Sequence, residues 1–183
     1  FLRSGVELLA GIPSVVYGFF GLVVIVPFVR LLGPGTGLSV LAASLILGIM
    51  ILPTVITVAQ SALDAVPARY YEGALALGVD HEHAVFKVVA PAAASGIMAA
   101  IVLGLGRAIG ETMAVVMVAG NMPIIPDSLL SGVRTMTANI VLEMGYAADL
   151  HREALIATGV VLFVFILLIT MLLNVIRKRG EAR

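Results

Sequence analysis

The stretch that decides the fold runs from Ala92 to Met122 and has the sequence AAASGIMAAIVLGLGRAIGETMAVVMVAGNM. It is long and apolar enough to cross a bilayer, which takes about 20 residues of helix. Its only charged side chains, Arg107 and Glu111, lie near its middle. An arginine at the centre of a membrane helix costs about 2.5–3.5 kcal/mol. A charge at that depth usually faces a protein partner or a water-filled path, so the stretch predicts a membrane helix with a function at its centre.

The composition of the whole chain is that of a membrane protein. Of its 183 residues, 61% are hydrophobic and 12% are charged, whereas soluble domains are roughly 45–50% apolar. The net charge of zero argues against a nucleic-acid partner. The chain has no cysteine, which excludes disulfides, thiolate metal ligands and a cysteine nucleophile.

Four segments are long and apolar enough to predict membrane spans. They run over about residues 13–32, 38–63, 92–122 and 154–176. Pro27 and Pro53 should bend the first two spans, which membrane bundles tolerate. Small residues should let helices approach closely at Gly96, Gly104, Gly106 and Gly110. The sequence therefore predicts an all-α fold, a polytopic transmembrane helical bundle in a single domain.

The sidedness follows from the basic residues after the last span. That span ends at Arg177–Arg179, and clustered basic residues mark the cytoplasmic side. Counting back across the spans places residues 64–91 in the cytoplasm and residues 123–153 outside.

The external segment has apolar residues at helical spacing between Ser128 and Tyr146: Leu129, Val133, Met136, Ile140 and Met144. This predicts an amphipathic helix over about 128–146 at the mouth of the bundle. The helix either only packs or also helps to guide a substrate. Polar residues that could guide an anion there, or simply form a solvated face, are Arg134, Thr135, Thr137 and Asn139.

The cytoplasmic segment 64–91 is too polar to cross a membrane and has the pattern of two helices joined by a turn. Pro67 can start a helix over Ala68–Leu77, and Gly78 can end it as a C-cap. A second helix is predicted over Glu82–Val89, ending before the next proline. This helix–turn–helix unit within residues 64–91, called the knob below, offers a surface that a partner protein can bind.

His81-Glu82-His83, inside this segment, gives only a weak metal signal. Two histidines at i and i+2 have no evident third ligand. A solvated polar turn explains them better, so no metal site is predicted.

The same segment carries a resemblance to a known family. Glu72-Gly73-Ala74, followed by Gly78, Val88 and Pro91, resembles the EAA loop of ABC-importer permeases. In that family the pattern is Glu-Ala-Ala, three residues, Gly, nine residues, Ile, one residue, Leu, Pro. This chain departs from it by small or apolar exchanges at Gly73, Val88 and Ala90. The resemblance implies coupling to a cytoplasmic ATPase through Glu72, Gly73, Ala74, Gly78 and Pro91.

Three further stretches, Gly11–Leu22, Gly106–Asn121 and Val133–Ala147, are similar to the PstC family of phosphate-specific permease subunits. The resemblance implies a type I ABC-importer permease (MetI-like) architecture in the cytoplasmic membrane of a bacterium or archaeon. It implies more spans than the chain contains, so we expect a fragment whose N-terminal spans would precede Phe1. It also implies a second permease subunit, a cytoplasmic ATPase dimer and an external phosphate-binding protein. The chain has no Gly-rich phosphate loop, so ATP and Mg are expected on the ATPase and no cofactor on this chain.

A substrate path is predicted at Arg107, Glu111 and Thr112. Positions four apart share a helix face, so Arg107 and Glu111 should point the same way. A guanidinium presents a planar fork of donors that matches phosphate oxygens. Glu111 could hold Arg107 while the path is empty, or accept a hydrogen bond from a protonated phosphate. The alternative is an intrahelical ion pair that only satisfies two buried charges.

The leading hypothesis is a permease subunit of an ATP-driven importer of inorganic phosphate, with no enzymatic activity of its own. Other hypotheses are a permease for sulfate or molybdate and a non-transporting membrane scaffold or sensor. An intramembrane enzyme is disfavoured because the buried polar residues lack a nucleophile with a base. Transport requires Arg107, whereas a scaffold requires only the ATPase partner.

Overall fold

The computed structural model describes the backbone of residues 2–181 and the side chains of residues 5–175. Within these residues the regular structure is helical, apart from one isolated backbone bridge between Gly120 and Val133. The all-α fold is therefore confirmed. The helices, in chain order, are α1 Leu2–Ala10, α2 Ser14–Arg30, α3 Val40–Asp64, α4 Ala68–Ala76, α5 His81–Ala92, α6 Ala94–Gly110, α7 Met113–Val118, α8 Met136–Glu143 and α9 Asp149–Glu181.

Two helices, α3 and the Asp149–Val175 part of α9, are long and apolar enough to cross a membrane. The pair α5 and α6 meets the same criterion when taken together, although it is bent by 67°. Helix α2 is apolar but shorter. The basic side chains at Arg177–Arg179, on which the predicted sidedness rests, lie outside the described side chains.

The continuous membrane helix predicted over residues 92–122 is wrong, because α6 ends at Gly110 and a new helix starts at Met113. Glu111 has an extended backbone with ψ 133°, and Thr112 has φ −121°. A hydrophobic pattern does not register such a break, because apolar residues continue on both sides of it.

Helix α2 accommodates its proline. Residues Gly21–Ile25 form a π-helical segment, and the N–H of Val26 bonds to the carbonyl of Gly21. Pro27 follows directly. A wider turn leaves room for a proline ring, which would otherwise clash with the carbonyl four residues earlier. The second proline, Pro53, lies inside α3 without ending that helix.

The core lies between α2, α3 and α7. Its most deeply buried large side chains include Val29, Ile46 and Val118. Gly18 on α2 allows a close approach, since a Cβ built there would lie 2.8 Å from the Cα of Ala114 on α7. In a membrane, close packing of this kind is the main force that holds helices together.

Helices α3 and α6 form the most extensive helix pair. A Cβ built on Gly104 would lie 2.6 Å from Cγ2 of Val55, and one on Gly96 would also collide with α3. The predicted close approach is confirmed at these two glycines. Gly106 and Gly110 instead have open space where a Cβ would lie.

Helices α4 and α5 form the predicted helix–turn–helix knob. The N–H of Gly78 bonds to the carbonyl of Leu75 at 2.9 Å, and that of Val79 to the carbonyl of Ala74 at 3.2 Å. Gly78 has φ +81°. This hydrogen bonding is that of a Schellman cap, so the predicted C-cap is confirmed.

The prediction that the second helix of the knob stops before Pro91 is wrong, because the helix runs to Ala92. A π-helical segment, Val85–Val89, precedes the proline, as another does in α2. The same wider turn explains why the proline does not end the helix. The helix starts at His81, where the Asp80 carboxylate accepts the N–H of His83 at 3.2 Å.

The helix predicted over 128–146 is wrong in its first half. Helix α8 begins only at Met136, where the Thr135 hydroxyl accepts the N–H of Ala138 at 3.2 Å. It ends at Glu143.

Residues 119–135, called the capping segment below, fold back over the N-terminus of α3. The carbonyls of Leu129 and Ser131 accept the N–H groups of Leu41 and Val40 at 2.8 and 3.0 Å. The first N–H groups of a helix have no partner within it. The capping segment supplies partners for the N–H groups of Val40 and Leu41.

Candidate functional site

Arg107 lies in the last turn of α6 and reaches across to α3. Its Nη1 donates a hydrogen bond to Oγ1 of Thr54 at 3.0 Å, and the side chain is exposed. At 1.5 Å rise per residue, Thr54 stands about 15 Å along α3 from Asp64, the last residue of that helix. The guanidinium is therefore held beside the middle of α3 and at the C-terminal end of α6.

Glu111 does not share a helix face with Arg107. Its Oε1 accepts the backbone N–H of Thr112 at 3.0 Å and that of Ala114 at 3.2 Å. The carboxylate thus satisfies free N–H groups at the start of α7, where the helix dipole also favours a negative charge. Among the described residues no ion pair joins Arg107 to Glu111. The predicted shared face and the alternative of an intrahelical ion pair are both wrong.

Two hydroxyls hold the break between α6 and α7. The Thr112 hydroxyl donates to the carbonyl of Gly110 at 3.3 Å. The Thr137 hydroxyl, from α8, donates to the carbonyl of Glu111 at 3.2 Å. The break is therefore held by hydrogen bonds, one of which comes from α8.

A cavity of about 250 Å³ opens beside the break. Its walls belong to α3, α6, α7 and the chain that enters α8, and most of the lining is apolar. The polar lining residues are Ser44, Glu111, Thr135 and Thr137, and the two threonine hydroxyls bond to each other at 3.1 Å. Glu111 is the charged group of this lining, so the cavity presents a carboxylate and hydroxyls.

Arg134, predicted as a possible anion guide, is engaged by protein partners. Its Nη1 lies 2.8 Å from Oε1 of Glu143 and donates to Oδ1 of Asn139 at 3.3 Å. Its Nε donates to the carbonyl of Asn121 at 3.0 Å. Arg134 therefore ties the capping segment to α8, which favours the packing interpretation for this residue.

Glu143 is the centre of this polar cluster. It accepts a hydrogen bond from the Tyr146 hydroxyl and lies 3.8 Å from Nε2 of His151. The bonds from Tyr146 and Arg134 hold the pKa of Glu143 below its usual range. The same carboxylate raises the pKa of Tyr146.

The residues predicted to couple to an ATPase lie on the knob. Glu72, Gly73, Gly78 and Pro91 are exposed, and Ala74 is buried. Two large apolar side chains beside them are also exposed, Leu77 by 86% and Phe86 by 71%. The knob therefore presents a mixed polar and apolar surface.

The two histidines of the knob have local partners. His81 Nδ1 lies 2.8 Å from the Tyr71 hydroxyl, which links α5 to α4. His83 Nδ1 lies 2.6 Å from the Asp80 carboxylate. In the part of the chain that the structure describes, no three His, Cys, Asp or Glu residues come together as metal ligands.

The sequence analysis missed Thr54, which contacts Arg107 from a helix 53 positions earlier. In the sequence, Thr54 is marked only by being a hydroxyl residue directly after Pro53 within a predicted span. Pairing it with Arg107 required the register of α3 against α6, which no local pattern encodes.

Known proteins resemble the chain along its whole length. A family model described as the binding-protein-dependent transport system inner membrane component matches residues 1–181. A probable ABC transporter permease, YqgH of Bacillus subtilis, is 41% identical and aligns with 98% of this chain and 59% of its own length. The phosphate transport system permease protein PstC of Mesorhizobium japonicum is 37% identical over 100% of this chain and 62% of its own length.

A further relative, PstC of Xylella fastidiosa strain 9a5c, is 36% identical over 97% of this chain and 63% of its own length. The chain thus spans about three-fifths of the length of these relatives. No solved structure matches it significantly.

Proposed function

The chain belongs to the family of binding-protein-dependent transport system inner membrane components, and from this premise we propose that it helps to form the path of an ATP-driven phosphate importer. The family consists of ABC-transporter permeases, which are transport subunits and not enzymes. Phosphate is supported by the names of the PstC relatives. The name of the Bacillus relative states no substrate.

The observation that carries the proposal is the state of Arg107. Its guanidinium is exposed beside the middle of α3 and is held by a neutral hydroxyl at 3.0 Å. It forms no ion pair within the described residues. A guanidinium has five N–H donors, so the geometry leaves donors that a phosphate can use in a bidentate contact. Arg107 is the anion contact in this proposal.

Glu111 and Thr112 complete the proposed path. Glu111 lines the cavity beside the break, and an ionised carboxylate only accepts hydrogen bonds. A phosphate that carries a proton can donate to it, whereas sulfate at neutral pH has no proton to donate. Glu111 therefore favours phosphate over sulfate, and Thr112 holds the backbone at that point.

The proposed partners follow from the knob and the family. An ATPase dimer, which carries ATP and Mg, docks at Glu72, Gly73, Ala74, Gly78 and Pro91, with Leu77 and Phe86 adding apolar contact. A second permease subunit covers the exposed face of α3 and α6 that carries Arg107. An external binding protein delivers the phosphate.

Uptake of labelled phosphate and labelled sulfate tests this function. The measurement uses the complete protein reconstituted in vesicles with its ATPase, second permease and binding protein. Phosphate should enter in an ATP-dependent manner, and sulfate should not. Arg107→Gln should abolish uptake, whereas Arg107→Lys should keep part of it, because a point charge replaces a planar fork.

The matched control is Arg152→Gln, which removes an exposed arginine on α9 and should leave uptake unchanged. Full uptake by Arg107→Gln would exclude Arg107 as the anion contact. Equal uptake of sulfate or molybdate would indicate a general oxyanion permease. An assembled complex that moves none of these anions would indicate a scaffold or sensor.

A further inference from the structure

We infer that Thr54 is a positioning residue for Arg107, and that its hydroxyl sets the affinity of the path for its anion. The inference rests on the proposed function, in which Arg107 contacts the anion. Thr54 itself carries no charge and acts through the guanidinium.

The hydrogen-bond partner that holds Arg107 is a neutral group. Arg107 donates to the Thr54 hydroxyl at 3.0 Å, and a hydroxyl accepts this bond without neutralising the cation. Arg134 in the same chain shows the opposite arrangement, with the Glu143 carboxylate at 2.8 Å. A carboxylate partner competes with an incoming anion, whereas a hydroxyl orients the arginine and leaves its charge available.

Thr54 lies in a closely packed part of the contact between α3 and α6. Thr54 stands between the buried Pro53 and Val55 on α3, and Val55 packs against Gly104, one turn before Arg107 on α6. The hydrogen bond from Arg107 to Thr54 therefore joins the two helices next to one of their closest approaches. In a helix the β-branched threonine has two main χ1 rotamers. The acceptor oxygen is thus limited to few positions relative to the arginine.

These two features predict an effect on binding rather than on turnover. An arginine side chain has many rotamers, and ordering them opposes anion binding. A hydroxyl that orders the guanidinium beforehand removes part of this cost. Without the hydroxyl the arginine keeps its charge, so transport continues but the complex itself binds phosphate less tightly.

The test compares Thr54→Val, Thr54→Ser and Thr57→Val in the reconstituted complex. Thr54→Val removes the hydroxyl but keeps the branched shape, and Thr54→Ser keeps the hydroxyl. Thr57→Val is the matched control, because the Thr57 hydroxyl donates to the carbonyl of Pro53 within α3 at 2.8 Å. Equilibrium binding of labelled inorganic phosphate to the reconstituted complex, prepared without the external binding protein, is measured over a range of concentrations. ATP-dependent uptake is measured with the binding protein present, and both are normalised to assembled complex.

Thr54→Val should raise the dissociation constant of phosphate from the complex by about three- to tenfold, the loss expected for one hydrogen bond of ordinary net strength. Its maximal rate of uptake should stay within about twofold of the wild type, and Thr54→Ser and Thr57→Val should match the wild type. A purely structural role would instead reduce the amount of assembled complex at an unchanged dissociation constant. An unchanged dissociation constant in Thr54→Val, or an equal rise in Thr57→Val, would overturn the inference.

Arg107→Gln, measured alongside, separates this inference from the proposed function. If Arg107→Gln abolishes uptake while Thr54→Val behaves as the wild type, the inference fails and the proposed function stands. If Arg107→Gln transports normally, the proposed function fails and the inference fails with it.

Discussion

Oε1 of Glu111 accepts the backbone N–H of Ala114 at 3.2 Å, so this carboxylate belongs to the start of α7 and not to a pair with Arg107. An exchange of the two charges, Arg107→Glu with Glu111→Arg, should therefore not restore uptake. An arginine at position 111 would bring a cation to the positive end of α7, and a glutamate at 107 would repel the anion. Uptake of labelled phosphate by the double variant checks this, and full uptake would contradict the observed geometry.

The capping role of Glu111 is separable from its charge. Glu111→Ala should lower the free energy of unfolding by about 0.5–2 kcal/mol, the usual cost of removing a side-chain cap. Glu111→Gln keeps an acceptor oxygen and should retain most of that stability. If both variants unfold at the same temperature in detergent, the cap contributes nothing beyond the charge.

The turn of the knob should tolerate no β-branched residue. Gly78 has φ +81°, a conformation that side chains with a Cβ adopt only with strain. Gly78→Val should therefore distort the Schellman cap and uncouple ATP hydrolysis from phosphate uptake, while the protein remains in the membrane. ATPase activity and uptake, measured on the same vesicles, check this prediction.

Gly73→Ala is the matched control for Gly78→Val. Gly73 lies within α4, and a Cβ built there meets nothing within 4 Å. The exchange should stabilise the helix by about 0.5–1 kcal/mol, because alanine is the better helix former. Although Gly73 lies on the proposed docking surface, the exchange should leave uptake intact, because the EAA pattern has alanine at this position. Normal uptake in Gly78→Val would remove the turn from the coupling surface.

The close contact between α3 and α6 should be sensitive to added volume. Gly104→Leu would collide with Val55, which lies 2.6 Å from an ideal Cβ at that position. Overpacking of this kind costs about 1–3 kcal/mol, so thermal unfolding in detergent should occur at a lower temperature. Gly106→Ala, where the Cβ faces open space, should unfold no earlier than the wild type. Equal stability of Gly104→Leu would mean that the two helices separate freely.

Some determinants of the fold carry a recognisable signal in the sequence and others do not. The cap at Gly78 was predictable, because a glycine at the end of a run of helix formers carries its own signal. The break at Glu111 was not, since the apolar pattern continues through it and a carboxylate turns back to cap the next helix. The partnership of Thr54 with Arg107 joins two helices, and no local pattern encodes such a contact.

The predicted sidedness has a direct test. If the basic residues after α9 mark the cytoplasmic side, reporters at the C-terminus and near His81 should both report the cytoplasm. A reporter near Ser131, in the capping segment, should report the outside. Reporters at His81 and the C-terminus that lie on opposite sides would contradict both the sidedness and the coupling role of the knob.

Protonation of Glu143 at acid pH should weaken the attachment of the capping segment to α8. Hydrogen bonds from Tyr146 and Arg134 hold its pKa below the usual range, so the stability that it contributes is present above the ordinary glutamate range. That stability is lost as the pH falls through the lowered pKa. The amides of Val40 and Leu41, whose acceptors lie in the capping segment, should then exchange hydrogen faster, after correction for the intrinsic pH dependence of exchange.

Glu143→Gln should show this faster exchange already at neutral pH and should lose its pH dependence. Glu153→Gln, which changes an exposed acid on α9, serves as the matched control and should behave as the wild type. His151 faces the same carboxylate at 3.8 Å, and a parallel His151→Gln variant separates its titration from that of Glu143. Exchange at Val40 and Leu41 that keeps its acid dependence in Glu143→Gln would assign the effect to another group.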